Sequence, residues 1–172
     1  MKTEEKKPEV DKRLAAVCGL YCGACALFIA TAEDAERLGQ LAARLGLSVE
    51  EARCYGCGSD HRSAFCRSCA RAACAAERGV EFCGFCTAYP CEDLRKFQAE
   101  RPHRIELWDD LARIRTIGCE AWLRQIPANY TCPQCRTINS AYDLACRKCG
   151  NAPSCDYVAE HGEEVKRFLA GR

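Results

Sequence analysis

Seventeen cysteines in 172 residues, twelve of them in six C-x2-C pairs, constrain this chain more than any other feature. Cysteine at this density marks a chain held by cross-links or metal more than by apolar bulk. The conventional core is thin to match: Leu, Ile, Val and Phe together number 31, about 18% of the residues. A formal charge of +1 also lacks the self-repulsion that keeps a chain disordered. A folded state therefore needs staples, and these are disulfides or metal ions.

Compartment separates the two. The N-terminal run MKTEEKKPEVDKR is charged and contains no apolar stretch of signal-peptide type. The longest apolar run, Ala24–Ala32, is far shorter than a membrane span. A cytoplasmic location is expected, where thiols stay reduced and cysteine clusters read as metal sites. The odd cysteine total also fits a disulfide framework poorly. Metal is the expected staple.

The predicted fold class is mainly α: a small metal-stabilised helical domain with cysteine knuckles, then a zinc ribbon of small β structure, then a closing helix. The expected divisions are a mobile tail (1–12), a cysteine-rich helical domain (13–101), a helical connector (102–128), the ribbon (129–150) and a C-terminal helix (151–172). Apolar spacing predicts helices through Ala26, Ile29 and Ala30, and through Leu38, Leu41, Ala42 and Leu45 ending at Gly46. Ser48 with Glu50 and Glu51 resembles a helix start, and Cys69–Arg78 is closed by Gly79. Glu92 and Asp93 open a helix turning Leu94 and Phe97 inward. Pro102 suits the first turn of a helix facing inward through Ile105, Trp108, Leu111 and Ala112. Cys119, Trp122, Leu123 and Ile126 share one further helical face.

The sharpest motif is YTCPQCRTINSAYDLACRKCG, which sets Cys132, Cys135, Cys146 and Cys149 as two C-x2-C pairs ten residues apart. Each pair can turn both sulfurs to one point, with Gly150 supplying permissive backbone behind the second. Two facing knuckles make a tetrahedral four-sulfur site for zinc, or for iron in a rubredoxin-like centre. So small a unit has almost no core and depends on its metal.

The first region holds eleven further cysteines: Cys18, Cys22, Cys25, Cys54, Cys57, Cys66, Cys69, Cys74, Cys83, Cys86 and Cys91. All are candidate ligands. Spacing fixes pairs but not partners; the expected grouping joins Cys18, Cys22 and Cys25 to one late cysteine and Cys54–Cys74 to another. The triads Cys66/Cys69/Cys74 and Cys83/Cys86/Cys91 have identical spacing and suggest an internal repeat. His61 could complete a site, though C-x2-C-x3-H-x4-C is one residue short of the usual nucleic-acid-binding knuckle. Cys91, ahead of Glu92 and Asp93, would sit at a helix N-terminus, suiting a ligand or a reactive thiol. Cys119 reads as a small buried hydrophobe and Cys155 as a spare thiol.

The series CGLYCGAC, CYGCG, CRSC and RGVEFCGFCTAYPCEDLRKF resembles a cysteine-rich bacterial and archaeal family of unknown function, some of whose members carry a similar C-terminal ribbon. The resemblance covers residues 14–150. It implies a cytoplasmic metal-binding protein, usually supposed to hold zinc, and supplies no reaction or substrate.

Enzymatic motifs are scarce. Cys18-x3-Cys22-x2-Cys25 matches a radical-SAM cluster motif, but that chemistry uses an α/β barrel of about 200 residues or more. No P-loop, dinucleotide fingerprint or Ser/His/Asp constellation is present. His103 and His161 read as packing or surface residues; Glu33/Asp34, Glu50/Glu51 and Asp109/Asp110 read as solvated faces. Arg62, Arg67, Arg71 and Arg78, with Arg113, Arg115 and Arg124, suit counter-charges to thiolates better than a nucleic-acid surface, since aromatic stacking partners are dispersed. Each tetrathiolate zinc carries a net −2, so three sites would turn the formal +1 into about −5. The expectation is a protein with about three structural zinc sites that binds a protein partner, not an enzyme. Redox or metal-handling chemistry through Fe–S or reactive thiols is the second class, although ferredoxin spacing is absent. A nucleic-acid adaptor is the third.

Overall fold

The computed structural model describes residues 9–171 and is mainly helical. Most of the expected tail lies outside the described residues. Its last part does not: Asp11 caps a 3-10 turn over Lys12–Leu14 by accepting the Arg13 N–H.

The early helices follow local signals closely. Helix α1 spans Ala26–Glu33, and α2 spans Ala35–Leu45, begun by the Asp34 side chain and ended at Gly46. Helix α3, Val49–Ala52, is only one turn long but carries a full capping box between Ser48 and Glu51. Together they enclose a small core of Ala30, Leu38, Ala42 and Ala52. Helices α4 (Ala64–Arg67) and α5 (Ala70–Arg78) follow, and α6 (Glu92–Ala99) buries Leu94.

Helix α7 corrects two expectations. Pro102 opens a 3-10 turn, Pro102–Arg104, while α7 itself runs over Leu107–Ile117. Its buried face is Leu107, Asp110, Leu111 and Ile114; Ala112 is exposed, and Ile105 and Trp108 are half-buried. The rotation follows from what α7 packs against. The loop 15–21 folds tightly on itself, and a Cβ at Gly19 would lie 2.7 Å from Leu111 Cγ. Asp110, expected on a solvated face, is buried: it accepts the Trp122 indole N–H at 2.8 Å from α8 (Cys119–Gln125).

The ribbon's small β structure does not form. Among the described residues there is only an isolated antiparallel bridge between Thr131 and Ile138 in this region, and no strand. The backbone beyond Ile138 is turned inward instead: Asp143 holds the Ser140 N–H through its carboxylate and donates its own N–H to Ser140 O. The closing helix, α9, covers Asp156–Ala170.

One main core crosses all the expected divisions of the chain. Leu107, Leu111, Ile114, Trp122 and Ile126 meet Cys18, Phe82 and Leu94 on one side and Ala141, Tyr157 and Val158 on the other. Each large apolar side chain there contributes roughly 1.5–3 kcal/mol by leaving water. Two ion pairs tie α2 and α1 to the C-terminal cysteine region, Arg37–Asp143 and Arg147–Glu33, both at 2.7 Å.

Candidate metal centre

Two backbone loops of the same shape build the C-terminal cysteine cluster. In the first, the Cys132 N–H donates to Thr137 O at 2.8 Å and the Arg136 N–H donates to Cys132 O at 3.0 Å. In the second, Cys146 N–H donates to Asn151 O at 2.8 Å and Gly150 N–H to Cys146 O at 2.9 Å. Both loops need a left-handed residue directly after their second cysteine. Gly150 supplies one with φ 74°, as expected; Arg136 holds the equivalent place with φ 63°.

The loops face each other and interleave their sulfurs. Cys132 Sγ lies 3.6 Å from Cys149 Sγ, and Cys135 Sγ 3.5 Å from Cys146 Sγ. All four sulfurs fall within 4.8 Å of one another. A tetrahedral ion with thiolate bonds of about 2.3 Å separates its sulfurs by about 3.8 Å, so the quartet fits such an ion.

The surroundings favour thiolates. Burial opposes charge on Cys146, but the Cys149 and Lys148 N–H groups, with the Asn139 amide, bring its thiol down to about 6. The Thr137 hydroxyl, 3.2 Å from Cys135 Sγ, and the Thr137 N–H lower that thiol too. At Cys149 the Asn151 N–H favours the thiolate, yet burial and the sulfurs of Cys135, Cys132 and Cys146 together outweigh it and push the thiol up to about 12. Four adjacent negative charges without a cation explain that conflict, and a divalent ion would remove it.

Asn139 was not foreseen from the sequence and organises the cluster from behind. It is fully buried; its amide donates to Thr137 O at 3.1 Å and reaches Cys146 Sγ at 3.6 Å, while its carbonyl accepts the Arg147 N–H at 3.0 Å. Such an outer partner orients a ligand and tunes its charge. Asn139 thus supplies by side chain much of what a β-ladder would supply by backbone.

The eleven sulfurs of the first region are distributed differently. Cys25, Cys69 and Cys91 are the N-cap residues of α1, α5 and α6, and Cys155 that of α9, none with a side-chain cap bond; the position was expected of Cys91. At Cys69, burial is overcome by the Ala72 and Arg71 N–H groups and the Arg71 charge, and the thiol falls below its usual range. Burial pushes Cys18 up to about 12 and Cys83 up to about 11.

Two groupings emerge. Cys22, Cys54, Cys57 and Cys66 are neighbours: the Cys57 N–H donates to Cys22 Sγ at 3.3 Å, the Cys57 thiol lies towards those of Cys22 and Cys66, and the Cys54 thiol towards that of Cys66. Cys25 lies towards Cys54. The second set surrounds Cys83, with Cys69, Cys74, Cys86 and Cys91 as neighbours. Cys18 lies towards Cys69 and Cys83, and also towards Cys57. Cys18 thus stands between the two sets, and of the triad Cys66/Cys69/Cys74 only Cys66 lies in the first.

The internal repeat is also placed differently. Cys22–Ala24 and Cys83–Phe85 form matching 3-10 turns, whereas Cys66 lies within α4. Arg78 lies beside Cys74 and Cys86, and Arg71 beside Cys69. Cys119 is half-buried and Cys155 fully buried. His61 is exposed, its ring edge-on to Tyr55. His103 is half-buried beside Tyr142, its Nδ1 2.5 Å from the hydroxyl, and desolvation lowers it to about 3. His161 Nε2 lies 3.0 Å from Glu106, in a Glu106/Glu160/His161 group that could also gather round an ion.

Fold and site together define a cysteine-rich, mainly helical chain with a four-sulfur cluster able to hold a metal ion. Residues 14–96, about half of the chain, match the family model described as Protein of unknown function (DUF3795), and this segment is a domain of that family. The C-terminal quartet lies outside the matched segment. No curated protein and no solved structure matches the chain. Among the described residues no helix is long and apolar enough to cross a membrane.

Proposed function

We propose that this protein is a zinc-binding module whose metals are structural, and that the rigid surface they maintain docks on a protein partner in the cytoplasm. The observation that carries this reading is the closed quartet Cys132/Cys135/Cys146/Cys149, with backbone and amide donors aimed at its sulfurs. Donors to sulfur, no open ligand position and burial of Cys132 and Cys146 suit a structural ion more than a catalytic one. Zinc is preferred to iron because the site needs only a charge-neutralising, tetrahedral ion. Reduced thiols, which a cytoplasmic setting maintains, are required by the same reading.

The test is elemental analysis and a visible spectrum of anaerobically purified full-length protein. Colourless protein carrying about three zinc ions supports the proposal. A brown protein carrying iron overturns it in favour of redox chemistry. A second reading, reactive-thiol chemistry, is favoured by one observation, the lowered Cys69 thiol beside Arg71. Rapid alkylation of Cys69 in zinc-loaded protein would support that reading, and protection of Cys69 by metal would sink it.

A further inference from the structure

Residues 53–69 hold an ordered fold with almost nothing apolar inside it. Only Cys54, Gly56 and Ser63 are buried in this stretch, and its two large apolar side chains, Tyr55 and Phe65, are 44% and 54% exposed. Helix α4 is one turn long, and its Ser63 N-cap makes no side-chain cap bond. An isolated turn of this kind is unstable in water, because nucleation costs more than one hydrogen bond returns. Something other than hydrophobic burial fixes the segment.

What lies at its centre is sulfur. Cys54 and Cys57 come from the loop before α4, Cys66 from α4 itself, and Cys22 from the distant 3-10 turn Cys22–Ala24. The Cys57 N–H points at Cys22 Sγ, while the Ser63 and Gly56 N–H groups point at Cys54 Sγ. The C-terminal quartet has the same kind of surroundings, with backbone N–H groups turned onto the sulfurs of Cys135, Cys146 and Cys149. Gly56 permits the close approach: its φ is 103°, and a Cβ there would lie 2.5 Å from the Arg13 carbonyl oxygen. No disulfide joins any of these thiols.

We propose that Cys22, Cys54, Cys57 and Cys66 bind a second divalent metal ion of the zinc class as a tetrathiolate, and that this ion organises residues 53–69. The proposal deepens the metal-binding reading and rests on it. Its quartet is more open than the C-terminal one: the sulfurs follow one another from Cys22 through Cys57 and Cys66 to Cys54, and no three of them lie within 4.8 Å of one another. A bound ion draws the two ends of that series together. Cys25, the N-cap residue of α1, lies towards Cys54 alone of the four sulfurs and is left outside the quartet on that ground. Cys74 belongs to the other group, beside Cys83 and Arg78.

The experiment uses the full chain, stripped of metal anaerobically and titrated with Co(II), with bound zinc counted in parallel. Wild-type protein should take at least two equivalents with tetrathiolate absorption. Cys66→Ser and Cys22→Ser should each lose one equivalent and keep the ion that depends on Cys132. Cys25→Ser and Cys74→Ser should keep the ion assigned to this quartet. Proteolysis within residues 53–69 should accelerate in Cys66→Ser, and also in wild-type protein on metal removal. The wild-type titration and its proteolysis do not depend on any variant folding.

One tetrathiolate equivalent in the wild type, wholly lost in Cys132→Ser, would overturn this proposal and leave the C-terminal site standing. Full metal content in Cys66→Ser would do the same, as would loss of the ion in Cys25→Ser but not in Cys22→Ser. Absence of any bound metal from the wild type would instead defeat the metal-binding reading itself.

Discussion

The two cysteine-rich regions reach their sulfur clusters by opposite routes. Between Cys132 and Cys149 all four sulfurs come from one short segment, and each loop closes on its own backbone. Between Cys18 and Cys91 sulfurs from turns, loops and helix N-termini meet only after distant segments pack. The local design closes its geometry without help, with every sulfur within 4.8 Å of the others. The distributed design leaves its sulfurs in open contact chains and leans on helix ends and arginines to hold their charge. A local cluster is therefore expected to be a self-contained metal site, and a distributed one to couple metal to tertiary structure.

The largest effect expected is on the local cluster. Replacing the fully buried Cys132 by Ser leaves three sulfurs and should remove one metal ion. Structural zinc contributes roughly 10–16 kcal/mol of apparent binding energy in small ribbons. That is far more than this segment's apolar contacts can replace, so 129–150 should become protease-sensitive. Elemental analysis with limited proteolysis checks both outcomes. Unchanged zinc content would break the comparison at its root.

A second prediction concerns the core that lies between the two regions and contains no proposed ligand quartet. Burial raises the Asp110 carboxyl to about 6, against the hydrogen bond from Trp122. The folded state thus keeps a proton that the unfolded chain releases near pH 4. Stability from this group is fully present at low pH and is lost as pH rises between about 4 and 6. Two pKa units correspond to at most about 3 kcal/mol. Asp110→Asn should remove this dependence while keeping an acceptor for the Trp122 indole. Denaturant melts of both proteins across that window check it by difference, which subtracts the titration of thiols common to both. Equal slopes for wild type and variant would show that Asp110 is ionised and solvated.

The same residues show what the sequence makes legible. The helix limits at Gly46 and Gly79, the capping box at Ser48 and Glu51, and the spacing of Cys132, Cys135, Cys146 and Cys149 are local codes. Each is decided within a few residues, so each can be read directly. The inward face of α7 is only partly local: Leu111 is read from spacing, whereas Leu107 and Asp110 were chosen by the loop at Gly19 and by Trp122. The gathering of sulfurs between Cys18 and Cys91 likewise depends on distant packing partners, as where the Cys57 N–H reaches Cys22 Sγ across 35 residues. Ribbon spacing correctly indicated a sulfur quartet, but it also suggested a β-ladder whose place is taken by the buried Asn139 side chain.

Coupling between the regions can be measured through the pair Arg37–Asp143, which joins α2 to the segment between the two C-terminal knuckles at 2.7 Å. Its side chains are 20% and 14% exposed, so solvent screens the pair less than an open surface bridge. Arg37→Ala should cost about 1–2 kcal/mol, with part of the loss due to the uncompensated Asp143. A double-mutant cycle with Asp143→Ala should recover an interaction term of at least about 0.5 kcal/mol. A term near zero would make the two regions energetically independent despite their shared core.

The finest comparison lies inside the local cluster, where Arg136 and Gly150 hold the same left-handed position in equivalent loops. A left-handed backbone costs a non-glycine residue roughly 1–2 kcal/mol, whereas glycine adopts it freely. Arg136→Gly relieves that strain but increases the freedom lost on folding by roughly 0.5–1 kcal/mol. The net change should be a stabilisation of under about 1 kcal/mol. Gly150→Arg should be unfavourable by a similar amount: a Cβ there meets nothing within 4 Å, so only the backbone preference acts. Paired thermal melts of the metal-loaded proteins should therefore move in opposite directions, with the metal content of both unchanged. A destabilising Arg136→Gly would mean that the Arg136 side chain itself supports the thiolate cluster, and that the two loops share a backbone shape but divide the work of charge compensation unequally.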